Sequence, residues 1–298
     1  MARYGIPWQG SKSRVAEWVV DVLPKSHTLV DLFGGGCAVT HCAILSGKWE
    51  HVIANDVTDS VKVFMDALRG EYNGLSTVPT REEFLASEDT AVRMLYSFGN
   101  DRKSYLWSPA LEAVKVEASK MLALPSLHER RMAYKAFCRA MGRWLRNGDV
   151  NYVGKPAGNG MEDLQGLERL EGLEKLEKLQ GLDGLERLDC LQCDYRLVDV
   201  PEGATVYADP PYRSTANSKR YGEFDHYAFD QWLNGVDFPV FVSEFDAPDG
   251  CVEIANTERI TSMSATTTGK RIERIFVQER FADRYEAPSK TKESNDRK

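Results

Sequence analysis

The fold of this 298-residue chain is decided by the stretch Thr28-Leu29-Val30-Asp31-Leu32-Phe33-Gly34-Gly35-Gly36. Its first six residues form a short and mostly apolar run, which predicts a buried strand. The three glycines predict a tight turn, because glycine lets the backbone approach a neighbour or a ligand closely. A helix is expected over residues 38–46, and residues 51–54 predict a second strand. Strand, glycine turn, helix and strand together form the opening of a doubly wound α/β domain.

The rest of the predicted sheet lies far along the chain. Strands are expected at residues 198–200, 205–208, 238–243 and 272–281. Between the two groups of strands, residues 60–147 have a helical pattern of mixed polarity, with helices predicted over 61–68, 81–86, 109–122 and 127–145. Four helices exceed a normal connection between two strands of one sheet. The region is therefore interpreted as a helical insertion.

A leucine repeat follows this insertion. Leucine stands at every third position from Leu164 to Leu191. A period of three matches neither the helical 3.6 nor the strand 2.0, so the repeat predicts no regular amphipathic element. We interpret it as a low-complexity packing segment, with a protein-interaction surface as the alternative. The polar residues 288–298 are expected to form a disordered tail.

The charge of the chain is unevenly distributed. A net charge of -7 and a pI of about 5.4 argue against a nucleic-acid partner when taken as a sum. Arg139, Arg143 and Arg146, however, are four and three residues apart, which places them on one face of a helix. Such a face suits contacts with DNA phosphates. The alternative is a solvated basic surface.

Composition also restricts the cellular setting. No run of about 20 apolar residues could cross a membrane, and residues 1–7 do not resemble a secretory signal. Six cysteines in a chain of this size do not indicate a disulfide framework. Cys190 and Cys193 form one Cys-x-x-Cys pair without a second pair or a nearby histidine, so no metal site is expected. These features favour a cytoplasmic protein.

A first candidate ligand site combines the glycine turn with Asp56. An acidic residue after the second strand can hold the hydroxyls of a ribose, and the 20 residues from Gly36 to Asp56 match the spacing of nucleotide-binding α/β folds. The turn lacks the Gly-x-Gly-x-x-Gly order of dinucleotide-binding enzymes. A tight turn without a ligand is therefore the alternative.

A second candidate site is the tetrad Asp209-Pro210-Pro211-Tyr212, which follows the strand expected at 205–208. Two consecutive prolines stiffen the backbone and supply no amide donor. A carboxylate and a carbonyl at the carboxyl edge of the sheet are both acceptors, so they suit an amino group that donates two hydrogens. Tyr212 offers a flat face on which a base can stack. The alternative is a proline-stiffened turn.

In this order, the motifs resemble the Dam-like family of DNA adenine-N6 methyltransferases, and in particular its phage-type members. The similarity covers most of the chain. It rests on Trp8-Gln9-Gly10-Ser11-Lys12, on the glycine turn, on Asn55-Asp56 and on the Asp-Pro-Pro-Tyr tetrad. The glycine turn precedes the insertion and the tetrad follows it, which is similar to the family's alpha order of motifs. Some phage-type relatives also contain a similar leucine repeat.

The resemblance implies S-adenosylmethionine as methyl donor and a flipped-out adenine of double-stranded DNA as acceptor. It implies that the donor is bound by the following residues: Trp8, Lys12, Asp31, Phe33, Gly34, Gly36, Asn55, Asp56 and Asp209. The resemblance places Asp209, Pro210, Pro211 and Tyr212 at the catalytic centre. It implies a bacterial or phage-infected host cell, with a restriction-modification or a phage role.

The predicted organisation has four parts. Residues 1–60 and 195–287 form a Rossmann-like methyltransferase domain, residues 61–160 a mainly helical target-recognition insertion, residues 161–194 the repeat segment and residues 288–298 the tail. Three other functions stay open at this point. One is transfer to the N4 amino group of cytosine, although related families that modify cytosine usually begin the tetrad with serine. Another is methylation of RNA or of a protein amide nitrogen, although amide-modifying relatives usually begin the tetrad with asparagine. The third is an inactive cofactor-binding protein that uses the leucine repeat to bind a partner.

Overall fold

A computed structural model of the chain describes residues 4–72, 78–109, 185–213, 224–264 and 267–285, together with single positions between 112 and 179. The chain divides into two compact units. The first contains residues 1–5, 12–62 and 184–298, and the second contains residues 6–11 and 63–183.

The first unit is built on one sheet. Its strands within the described ranges are β1 (Thr28–Asp31), β2 (His51–Asn55), β3 (Leu188–Leu191), β4 (Thr205–Ala208), β5 (Val240–Glu244), β6 (Cys251–Ser264) and β7 (Thr267–Gln278). They are ordered β3-β2-β1-β4-β5-β7-β6. The first five strands in this order are parallel, and β7 and β6 are antiparallel to their neighbours. The predicted α/β sheet of Rossmann type is confirmed.

The strand order reverses between β1 and β4. From β1 the chain continues to β2 and β3 on one side, and from β4 it continues to β5 and then to the β6–β7 hairpin on the other. In open α/β sheets, ligands bind beyond the carboxyl ends of the strands at such a reversal. The residues that follow β1 and β4 are therefore the expected position of a ligand site.

The helices of the first unit are α1 (Ala16–Val22), α2 (Ala38–Ser46), the start of α3 (Ser60–Leu68), α6 (His226–Gly235) and α7 (Glu279–Ala282), with short 3₁₀ turns at Leu185–Arg187 and Tyr195–Leu197. The helix predicted at 38–46 is confirmed as α2, whereas α6 was not predicted, and α7 begins where the strand predicted at 272–281 was expected to continue. Every residue of β1, β4 and β5 is buried, as expected for central parallel strands that are covered on both faces. Phe229 and Leu233 of α6 pack on Val206 and Val242 in this core.

Three differences from the sequence prediction concern the sheet. The strand expected at 198–200 is wrong, because these residues follow a 3₁₀ turn capped by Asp194 and pair with no described strand. The edge strand β3 is instead formed by Leu188–Leu191, the last residues of the leucine repeat. The hairpin strand β6 was not predicted. It pairs with β7 along most of its length.

The second unit is helical in its described residues. It contains the remainder of α3, α4 (Arg81–Ala86), α5 (Thr90–Leu95) and a 3₁₀ turn at Phe98–Asn100. Thr80 and Glu83 form a capping box at the start of α4, and Asp89 caps α5. Phe84, Met94 and Tyr105 are buried in this unit. The helices predicted at 61–68 and 81–86 are confirmed, whereas those at 109–122 and 127–145 lie largely outside the described residues.

No helix among the residues described is both long enough and apolar enough to cross a bilayer.

Candidate functional site

Parallel register brings both candidate motifs to one edge of the first unit. Asp31, the last residue of β1, pairs with Ala54 of β2 on one side and with Tyr207 of β4 on the other. The segments that continue from these strands are the glycine turn, Asn55-Asp56 and the tetrad. The sheet therefore places the motifs side by side, although Asp209 stands 178 positions after Asp31 along the chain.

Asp56 organises the glycine turn. Its Oδ2 accepts a hydrogen bond from the Gly35 N–H at 2.8 Å, and its Oδ1 accepts from the backbone N–H and the hydroxyl of Thr58 at 2.8 and 2.7 Å. Gly35 has a φ of +47°, a conformation that favours glycine. A carboxylate offers about four acceptor positions, so these three bonds leave capacity for a ligand hydroxyl.

Gly34 and Gly5 have packing roles at the same turn. The Gly34 N–H donates to the Asn55 carbonyl at 2.7 Å, and a Cβ at Gly34 would lie only 3.2 Å from that oxygen. The Gly36 carbonyl lies against Gly5, where an added Cβ would approach to 2.1 Å. The missing Cβ of Gly34 allows the turn to pack against β2, and that of Gly5 allows the preceding chain to pack against the Gly36 carbonyl.

The Asn55 side chain is used within the protein. Its Nδ2 donates to the carbonyls of Leu32 and Cys193, each at 3.1 Å, and its Oδ1 accepts from the Cys193 N–H at 3.1 Å. Asn55 is 1% exposed. These bonds tie the end of β2 to the chain that follows β3, and they occupy both amide hydrogens.

Asp31 is a buried acid directly beneath the turn. Its Oδ2 accepts a hydrogen bond from the Thr40 hydroxyl at 2.7 Å, whereas its Oδ1 has no hydrogen-bond partner among the described residues. Burial, together with the charges of Asp209 and Asp56, raises the pKa of Asp31 from 3.8 to about 7, against the lowering effect of the hydrogen bonds from Thr40 and the Phe33 backbone. An unsatisfied buried acceptor at a sheet edge fits a donor group of a ligand.

Lys12 lies against the tetrad and against a residue of β7. Its ammonium lies 2.7 Å from Oδ1 of Asp209 and 3.9 Å from Oε2 of Glu273, and 4.4 Å from the centre of the Tyr212 ring. Lys12 is 7% exposed, so this ion pair is largely shielded from water. Burial raises the pKa of Asp209, while Lys12 opposes that rise.

Two glutamates from neighbouring strands bond to Tyr212, the last residue of the tetrad, and to Arg213, the residue that follows it. The Tyr212 hydroxyl donates to Oε2 of Glu273 on β7 at 3.0 Å. The backbone N–H of Arg213 donates to Oε1 of Glu244 on β5 at 2.8 Å. Burial raises the pKa of Glu244 to about 7, against the effect of the amides of Arg213 and Phe245. The tetrad is therefore anchored from outside its own segment.

Phe33 belongs to an aromatic cluster next to the glycine turn. Its ring centroid lies 5.1 Å from that of Tyr195 and 5.8 Å from those of Phe224 and Phe229. Phe33, Tyr195 and Phe224 are partly exposed. Half-buried aromatic faces beside the glycine turn are suited to packing against a planar ring.

The remaining predicted residues are not gathered at this edge by the described contacts. Trp8 belongs to the second unit, where the guanidinium of Arg102 lies 4.3 Å from its ring centre. Arg139, Arg143 and Arg146 lie outside the described residues, so their role in DNA binding stays a prediction.

Glu244 and Glu273 were missed by sequence reasoning. Both are buried, but only Glu244 belongs to a mostly apolar strand, whereas Glu273 stands among other charged residues of β7. A carboxylate at the end of an apolar run is unusual unless it has a partner, so a signal was available for Glu244 and not for Glu273. The partner itself could not be named, because the pairing of β5 with β7 is a long-range contact.

An α/β sheet with a glycine turn and an acceptor-rich tetrad at its strand reversal is typical of enzymes that methylate amino groups of nucleic-acid bases. A family model described as D12 class N6 adenine-specific DNA methyltransferase matches residues 8–236, and the chain belongs to this family. It is thus an enzyme that methylates the N6 amino group of adenine in DNA. A search against curated proteins gave no match.

Proposed function

We propose that the carboxyl edge formed by β1, β2 and β4 binds S-adenosylmethionine and presents its methyl group to the tetrad. The single observation that carries this assignment is the 2.7 Å contact between Lys12 and Asp209, beside the glycine turn organised by Asp56. Bound S-adenosylmethionine supplies an electrophilic methyl group. All other contributions to donor binding and to methyl transfer come from the residues at this edge of the sheet.

Three residues would hold the methyl donor. Asp56 retains acceptor capacity for the ribose hydroxyls, and Phe33 offers an aromatic face to the adenine ring. The unpartnered Oδ1 of Asp31 accepts from the ammonium of the methionine part, directly or through water. Each contact matches a chemical group of the donor with an acceptor or an apolar face that the protein leaves available.

Asp209 and the Pro210 carbonyl would accept the two hydrogens of the target amino group. Lys12 occupies Oδ1 of Asp209, so we assign the contact with the amine to Oδ2. Accepting both hydrogens favours the pyramidal form of the amine and stabilises the positive charge that develops on nitrogen. As the bond from nitrogen to the methyl carbon forms, the bond from sulfur to that carbon would break, S-adenosylhomocysteine would leave, and the nitrogen would lose one proton toward Asp209. Alignment of the two bound reactants supplies much of the remaining acceleration.

The target adenine has to leave the duplex to reach this edge, because its amino group is paired within the helix. Tyr212 is proposed as its stacking partner. Arg139, Arg143 and Arg146 are proposed to contact phosphates of double-stranded DNA. The four-part domain organisation, a protein contact through the leucine repeat and a cytoplasmic location in a bacterial or phage-infected cell stay predictions.

The test uses tritium-labelled S-adenosylmethionine and unmethylated chromosomal DNA, followed by nucleoside analysis. Wild-type protein is expected to place label in 6-methyladenine. Asp209→Ala is expected to lose roughly 10³-fold in rate, comparable to removal of one preorganised group from a catalytic site. The matched control is Asp199→Ala, which removes an exposed carboxylate and should label DNA at the wild-type rate.

Cofactor binding by the same two variants shows whether a loss of labelling comes from weaker binding of S-adenosylmethionine or from slower methyl transfer. Calorimetric titration of Asp209→Ala with S-adenosylmethionine should give a dissociation constant close to that of wild type. Retained labelling by Asp209→Ala would contradict the proposed role of the tetrad aspartate.

A further inference from the structure

Glu273 lies outside every motif used so far. It is on β7, beyond residue 236, where the family match ends. The register pairs Arg274 of β7 with Glu244, the last residue of β5, so Glu273 stands one position further toward the carboxyl edge of the sheet. This position brings a residue from the late hairpin to the tetrad.

Glu273 is buried among the groups of the tetrad. It is 2% exposed, and its Oε2 accepts a hydrogen bond from the Tyr212 hydroxyl at 3.0 Å. The same oxygen lies 3.9 Å from the Lys12 ammonium. A buried carboxylate is costly unless its partners compensate for the lost hydration, so a buried carboxylate at this position calls for an explanation.

The Tyr212 ring is restrained at both its edge and its hydroxyl. Phe245 packs edge to face against it, with ring centroids 4.5 Å apart and an interplanar angle of 85°. This contact limits tilting of the ring, whereas the bond to Glu273 fixes the position of the hydroxyl. Together the two contacts define one plane for the Tyr212 ring.

We propose that Glu273 is a positioning residue for methyl transfer, which acts by holding the Tyr212 ring in the plane on which the flipped adenine stacks. The inference rests on the proposed stacking role of Tyr212. Because the amine has to lie in line with the methyl group, a small rotation of the stacked base lowers the rate of transfer more than the affinity for either substrate. Glu273 therefore acts on kcat through Tyr212, without touching the reacting atoms.

The test compares four variants of the full-length chain: Glu273→Leu, Glu273→Gln, Tyr212→Phe and Glu273→Leu combined with Tyr212→Phe. Glu279→Gln is the matched control, since it removes an exposed carboxylate from the helix that follows β7. Labelling of unmethylated chromosomal DNA from tritiated S-adenosylmethionine gives kcat and KM. Calorimetric titration with S-adenosylmethionine gives a readout that is independent of activity.

Glu273→Leu is expected to lower kcat by about 10- to 100-fold, with the dissociation constant of S-adenosylmethionine changed less than about threefold. Glu273→Gln keeps an acceptor for the Tyr212 hydroxyl and should stay within about threefold of the wild-type kcat. In the Tyr212→Phe background, Glu273→Leu should cause little further loss, because the hydrogen bond between the two residues is already absent and any additional loss would come from the 3.9 Å contact of Glu273 with Lys12. Circular dichroism establishes that each variant is folded.

Three results would overturn the proposal. They are a wild-type kcat for Glu273→Leu, a loss in Glu273→Gln as large as that in Glu273→Leu, and additive losses in the double variant. If Glu273→Leu does not fold, the proposal is tested by comparing Glu273→Gln with Tyr212→Phe, because only Tyr212→Phe is expected to lower kcat. All rates are expressed relative to wild type, whose labelling of DNA tests the proposed function separately.

Discussion

The end of β2 and the end of β4 differ in where their hydrogen-bond partners stand along the chain. Asp56, after β2, bonds to Gly35 and Thr58, which are 21 and 2 residues away. Asp209, after β4, bonds to Lys12 at a separation of 197 residues, and Tyr212 bonds to Glu273 at a separation of 61. The glycine turn at the proposed donor-binding end is thus fixed by side-chain bonds from nearby residues, although Asn55 before it bonds to Cys193 at a separation of 138 residues. The tetrad is held by distant segments.

This difference has a consequence for how substitutions should act. Changes at the proposed donor-binding end are expected to alter cofactor binding and the stability of that end, and to leave the tetrad in place. Changes in the remote supports of the tetrad are expected to alter the rate of transfer. Three predictions test where this division fails, in order of the size of the expected effect.

The largest effect is expected for Asp31→Asn, on stability rather than on catalysis. Burial raises the pKa of Asp31 from 3.8 to about 7, so between these values the folded protein keeps a proton that the unfolded chain releases. The contribution of this group to the free energy of unfolding is therefore complete below about pH 4 and is lost as pH rises toward about 7. Asparagine does not ionise, so Asp31→Asn avoids this loss of stability and should stabilise the protein by about 2–4 kcal/mol at pH 8.

Urea unfolding at pH 5 and pH 8 measures this difference. The variant and wild type should differ less at pH 5, where Asp31 is largely protonated in the folded protein. Asp199→Asn, which changes an exposed carboxylate, serves as control. An equal stability difference at both pH values would show that Asp31 does not titrate in this range.

The second prediction concerns Asp56→Ala, which should weaken S-adenosylmethionine binding by about 10- to 100-fold. The substitution removes the proposed ribose contact and the bonds to Gly35 and Thr58, each typically worth about 1 kcal/mol. Because the supports of the tetrad are separate, kcat at saturating cofactor should fall less than about threefold. Calorimetric titration and labelling kinetics measure the two quantities.

The comparison between the two ends would break down if Asp56→Ala lowered kcat as strongly as it lowered affinity. Asp199→Ala is again the matched control, since it deletes the same group from an exposed position. An unchanged dissociation constant would remove Asp56 from the ribose site.

The smallest effect is expected for the basic face of the insertion. Reversal of Arg143 and Arg146 to glutamate should weaken DNA binding by about tenfold at physiological salt and reduce the slope of log K against log salt by about 2. Cofactor affinity should not change, because neither residue belongs to the donor-binding end. Fluorescence anisotropy with labelled duplex DNA at several salt concentrations measures the slope.

An unchanged salt slope would place the phosphate contacts elsewhere on the protein. Reversal of Glu129, an exposed acidic residue of the same region, to lysine provides a control of opposite sign.

Sequence patterns predicted the parts of the fold that depend on local chemistry. The strands β1, β2 and β4, the helix α2 and the turn between β1 and α2 follow from short apolar runs and from glycine. The hairpin strand β6 was missed, and β3 lies within a leucine repeat whose period indicates no strand. Edge strands take their stability from the neighbour with which they pair, so their own pattern is weak.

The residues of the candidate site also fall into two groups: those that a local motif predicted, and those whose partners only the tertiary structure reveals. Asp56, the glycine turn and the tetrad were recognisable because closely spaced residues carry each motif. Asn55 was predicted to bind the cofactor, but its side chain ties β2 to the chain after β3, which only the arrangement of strands reveals. Glu244 and Glu273 acquire their partners through the pairing of β5 with β7.

By itself, then, the sequence determined the type of sheet, the family resemblance and the motifs that carry the chemistry, because spacing and residue type record local geometry. Only the tertiary structure decided that Lys12 pairs with Asp209, and that Glu273 and Glu244 hold Tyr212 and the backbone of Arg213. The physical reason is that a hydrogen bond depends on distance in space. Once the strands have paired, residues far apart along the chain can be within 3 Å of one another.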